Sequence, residues 1–152
     1  MLKSKLLEVE GKINYQYLQS IASPLPKPLT QEEFLAQFGT GKARTHIETP
    51  IKELEIEPAK AWEHLVSNSK EQDRQRISGA LLEVLQKPLF ITKDTKGTFY
   101  FYKPYKDEKG VLNLVSITIP KSNRIRYKTS YIASRERMLK MINEYELVYE
   151  SF

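Results

Sequence analysis

The stretch Arg124-Ile125-Arg126-Tyr127-Lys128-Thr129-Ser130-Tyr131 gathers the side chains that handle phosphate. Guanidinium groups meet phosphate oxygens two at a time, ammonium groups act as point charges, and hydroxyls donate beside them. Alternate side chains of a strand share one face. Arg124, Arg126, Lys128 and Ser130 therefore line up as a cationic row. Thr129 and Tyr131 fall with Ile125 and Tyr127 on the other side, unless a bulge or the strand end re-aims them. Imidazole is the side chain suited to moving protons near neutral pH, and the chain has two, His46 and His64. Lys103 closes an aromatic run, TFYFYKPY (98–105), and is a further candidate phosphate contact. In that run Tyr100 and Tyr102 share one face, and Phe99, Phe101, Lys103 and Tyr105 the other, so an exposed set would offer bases a stacking surface. Glu48 could orient His46, although a solvated loop acid is the plainer reading, and the alternating Glu53, Glu55 and Glu57 read as a solvated edge.

Charge placement supports an anionic partner. The net charge of +5 lies in one place: residues 121–140 carry +6, which leaves −1 for the rest. Localised basic charge points to a phosphate-bearing or acidic partner. A basic edge that discourages sheet aggregation is the alternative. With no cysteine there is neither a disulfide nor a thiolate zinc site, and two histidines make a His-rich metal site a poor expectation. We expect no metal and no cofactor. No 18-residue apolar run is present, so no transmembrane helix is expected. The segment MLKSKLLEVEGK lacks the apolar core of a secretory signal. The expected location is the cytoplasm, of the producing cell or of a target cell into which the protein is delivered.

The elements that must position these residues follow from pattern. Residues 1–23 are helix-prone, and SPLPKPLT (23–30) reads as a stiff linker. This divides the chain into a lead-in (1–28) and a main domain (29–152). Thr30 and Glu33 form a capping box that opens a short helix ending at Gly39. GTGK in the following loop lacks the spacing of a phosphate loop. His46 falls in a loop, residues 50–57 give a weak strand signal, and Pro58 opens a helix over 59–67. A second capping box at 69–72 starts a helix to about Gln86, with Ile77, Ala80, Leu81, Val84 and Leu85 inward and Arg74 and Arg76 outward. Strands follow at 88–92, 98–105, 111–119 and 124–131, and Ser134 caps a last helix over 135–147. Segregated helices and strands predict an α+β fold: N-terminal helices packed on one face of an antiparallel meander of about four strands, with a closing C-terminal helix. The other face would stay open for a ligand.

Residues 46–131 resemble the phage-associated members of the barnase/EndoU/colicin/RelE-like nuclease superfamily. The resemblance rests on a succession of local patterns. His46-Ile47-Glu48-Thr49-Pro50 comes first. His64 and the Arg-bearing helix ending in Leu85-Gln86-Lys87-Pro88-Leu89-Phe90-Ile91 follow. The aromatic strand 99–103 and the basic strand closing in Thr129-Ser130-Tyr131 complete it. The resemblance implies a toxin-type, metal-independent endoribonuclease acting through the ribose 2′-hydroxyl. His46, His64, Arg126, Thr129 and Tyr131 would be catalytic, and Lys103, Arg124, Lys128 and Ser130 would hold phosphate. A toxin would also need an acidic immunity protein or antitoxin. The alternative is a non-catalytic RNA- or protein-binding module on the same fold, such as a phage accessory protein.

Overall fold

The computed structural model describes residues 6–8, 11–39, 44–66 and 75–151. The capping box at 69–72, Arg74 and most of the GTGK loop lie outside the described residues. Among the described residues there are five α-helices: α1 (Tyr15–Ile21), α2 (Gln31–Ala36), α3 (Pro58–Val66), α4 (Leu81–Gln86) and α5 (Arg135–Glu144). Side chains set their starts. Asn14 caps α1, Thr30 and Glu33 close a reciprocal capping box on α2, and Ser134 caps α5.

The strands are β1 (Ser23–Pro24), β2 (Thr45–Glu48), β3 (Glu53–Ile56), β4 (Phe90–Lys93), β5 (Phe99–Asp107), β6 (Gly110–Lys121), β7 (Arg124–Ile132) and β8 (Glu146–Glu150). They form one mixed sheet in the order β2-β3-β7-β6-β5-β4-β8, with β1 parallel to the far end of β5. The expected α+β meander of about four strands is therefore wrong. The antiparallel run β4–β7 is only the middle of an eight-stranded sheet, extended on one side by the β2–β3 hairpin and on the other by β8. β3 joins β7 in parallel, placing Leu54 opposite Ile125 and Glu55 opposite Arg126. The last helix stops at Glu144, and Leu147 lies on β8 rather than in a helix.

Nor is one sheet face open. α2, α3 and α4 cover the first face, over a core that includes Phe34, Trp62, Leu81, Leu85, Phe101 and Ile125. Leu6, Ile13, α1 and α5 cover the second, where Leu6, Leu18, Phe90, Tyr102, Val115 and Met138 are buried. Strands buried on both sides lose polar alternation, which is why VLNLVSITI reads as almost continuously apolar. Both aromatic sets of β5 are consequently occupied. On the first face Phe99, Phe101 and Tyr105 are buried; on the second Tyr102 is fully buried and donates to Asn113 Oδ1 (2.8 Å), while Tyr100 stacks on Tyr145 and donates to Asp94 (3.0 Å). Neither set is a base-stacking platform.

The proline segment is docked. Ser23 and Pro24 pair with Tyr105 and Lys106, Leu25 N–H donates to the Lys106 carbonyl (3.0 Å), and Leu29 N–H donates to Ser78 Oγ (2.7 Å). Gly79 makes this approach possible, since a Cβ there would stand 2.4 Å from the Lys27 carbonyl oxygen. The described part of the lead-in thus packs on the sheet instead of standing apart from it.

Candidate phosphate-binding site

The basic strand is bulged at its centre. Thr118 pairs with Tyr127 and Ile117 with Thr129, so Lys128 is the extra residue. The bulge reverses parity beyond it. Arg124 and Arg126 lie on the second face, and Thr129 and Tyr131 now share that face. Ser130 turns to the first face with Tyr127. There it is buried in a hydroxyl chain, 2.7 Å from Ser116 Oγ and 2.7 Å from the Tyr127 hydroxyl. Ser130 is therefore not part of a cationic row. Tyr131 is half-buried, with the Arg137 guanidinium 4.9 Å from its ring centre.

The row itself is paired. Glu53 and Glu55 come alongside it because β3 runs parallel to β7. Arg124 Nε is 3.3 Å from Glu53 Oε1, and Arg126 Nε donates to Glu55 Oε2 at 3.2 Å. Glu55 is the hub, for it also receives Lys121 Nζ (2.6 Å) and Arg44 (3.2 Å). The reading of Glu53, Glu55 and Glu57 as a solvated edge fails at Glu55, which is buried at 5% exposure. Its carboxyl is held down to about 2, first by the hydrogen bond from Lys121, then by those from Arg126 and by the charge of Arg44, against the opposing cost of desolvation. Burial depends on a pairing between residues some seventy positions apart, which no local pattern announces.

Beyond the end of β3 the chain turns directly into α3, and a cleft opens between that helix and the bulge of β7. Glu55, Glu57, Lys60, Ala61, His64, Arg126, Tyr127 and Lys128 line it. Its volume is about 120 Å³, well below the roughly 300–1,000 Å³ of a small-molecule site. It suits one phosphate-sized group, such as a group projecting from a polymer. Lys128 and His64 are exposed, and Lys128 makes no ion pair among the described residues. Lys60 and Arg44 share Glu57 (3.3 and 3.2 Å).

The remaining candidates separate. His46 is on strand β2, not in a loop, and its Nε2 lies 3.1 Å from Arg124 Nη1. Arginine can only donate, so this imidazole nitrogen accepts. His46 belongs with Arg124 and Glu53, whereas His64 lines the cleft beside Lys128. Lys103 is two strands from β7 on β5, donating to the Lys87 carbonyl (3.1 Å), and has no place in the cleft. The sequence did not mark Lys60, and Glu55 and Glu57 read there as a solvated edge, although the Glu57-Pro58 helix start was a usable signal for Glu57 and Lys60. Among the described residues no cluster of three His, Asp or Glu side chains could hold a metal ion, and no helix is long and apolar enough to cross a membrane. No family model, curated protein or solved structure matches the chain.

Proposed function

We propose that this protein is an endoribonuclease that cuts RNA without a metal, by attack of a ribose 2′-hydroxyl on the adjacent phosphorus. One observation carries the reading: a single phosphate-sized cleft combines the His64 imidazole with Arg126, Lys128 and Lys60. The three cations would hold the phosphate and stabilise the charge that builds on its oxygens. His64 would take the proton of the 2′-hydroxyl as the new O2′–P bond forms. The P–O5′ bond breaks, and the imidazolium is the proton source for the departing 5′-oxygen. The products are a 2′,3′-cyclic phosphate and a 5′-hydroxyl. In a toxin role the enzyme acts in the cytoplasm, and an acidic immunity protein or antitoxin covers Lys60, Arg126 and Lys128.

A second reading, an RNA-binding module that does not cut, draws support from the ion pairs of Arg124 and Arg126 and from the separation of the two histidines. Incubation of end-labelled RNA in EDTA separates the two. The nuclease reading expects cleavage by the parent, retention of it in His46→Ala and loss in His64→Ala. Salt-sensitive binding without cleavage by folded parent protein would leave only the binding module.

A further inference from the structure

Arg126 is held from one side only. Its Nε donates to Glu55 Oε2, while the side chain is 44% exposed and the Glu55 side chain 6%. Among the described residues the Arg126 side chain makes no other hydrogen bond or ion pair, so its two terminal amines remain available to the cleft. An arginine gripped through Nε presents the opposite edge of a planar fork, which suits two oxygens of one phosphate. Glu55 is itself fixed by Lys121 from β6 and by Arg44 from the start of the β2–β3 hairpin. Its nearly buried carboxylate faces these cations, and it leaves the exposed rim of the cleft to Arg126.

We infer that Glu55 is a positioning residue, which aims the Arg126 fork at an RNA phosphate and itself makes no contact with the ligand. The inference rests on the proposed RNA-directed function and adds to it an acidic residue whose loss weakens binding of an anion. Removal of a carboxylate from a cationic patch should by simple charge counting strengthen RNA binding. Positioning requires the opposite sign. Lysine at position 126 has no Nε–H to grip and no fork to aim, so Arg126→Lys should make binding insensitive to Glu55.

The test measures binding of a short labelled RNA in EDTA by parent, Glu55→Gln, Arg126→Lys and the double variant, at one salt concentration and well below every melting temperature. Each single variant should bind about tenfold more weakly, and the double variant no more weakly than Arg126→Lys alone, a coupling of the size that contacting residues show. Glu55→Asp should restore part of the loss. Additive losses in the double variant would make Glu55 merely structural and overturn the inference, as would tighter binding by Glu55→Gln. Absence of salt-dependent RNA binding by the folded parent would overturn the RNA reading itself, and the inference with it.

Discussion

Ser130→Ala separates a structural from a ligand-binding role on the basic strand. Ser130 Oγ links Ser116 and Tyr127 in a buried chain of hydroxyls, each contact 2.7 Å. Removing it leaves the buried Ser116 hydroxyl and the half-buried Tyr127 hydroxyl one partner short. The cost of leaving a buried polar group unsatisfied is about 1–3 kcal/mol. For a chain of this size each kcal/mol lowers the melting temperature by about 2–4 °C, so the drop should be on the order of 2–12 °C. Binding of labelled RNA and its salt dependence, measured below the transition, should match the parent, because the bulge turns Ser130 away from the cleft. A variant that melts like the parent but loses RNA affinity would refute the bulge and return Ser130 to the cationic row.

Three further outcomes follow from particular contacts. Glu55 has a folded-state carboxyl at about 2 against an ordinary 4.5, so its stabilising effect is complete above about 4.5 and disappears as pH falls toward 2. The gap in denaturation midpoint between parent and Glu55→Gln should be wide at pH 7 and close through that window, and a gap independent of pH would contradict the ion network. Gly79→Ala should cost about 1–3 kcal/mol in urea unfolding, as overpacking does, because the new methyl meets the Lys27 carbonyl; an unchanged midpoint would mean that the proline segment is not docked there. Lys128→Ala should lower the slope of log affinity against log salt by about 0.7, the value for one contact to a single strand, and an unchanged slope would remove Lys128 from the interface.

Much of the central architecture was legible in the chain. The strands at 98–105, 111–119 and 124–131 and the Thr30 capping box lie where local pattern puts them. Ile77, Ala80, Leu81, Val84 and Leu85 are buried as expected, but the helix expected to carry them begins only at Leu81, after turns over 75–80, and Arg76 is half-buried against Asp107 instead of facing outward. What escaped is non-local. The four-residue strands β2 and β3 carry too little periodicity to announce a hairpin, and nothing in residues 53–56 says that they lie parallel to β7. Tyr145 continues the helical spacing of Met138 and Ile142, so nothing local announces that the helix stops at Glu144 and a strand follows. The site suffered from the same limits. Strict alternation placed Ser130 with the arginines, and one extra residue at Lys128 reversed it. Glu55 alternated like a solvated acid, and only the β3–β7 pairing buries it among three cations.

Analysis of RNA termini tests the central claim most directly. Parent protein in EDTA should convert an end-labelled oligoribonucleotide into fragments ending in 2′,3′-cyclic phosphate and 5′-hydroxyl. A single 2′-deoxy substitution at the cut position should abolish that cut, and so should His64→Ala with unmodified RNA. Fragments ending in 5′-phosphate, cleavage of the 2′-deoxy site, or full activity in folded His64→Ala would contradict the account.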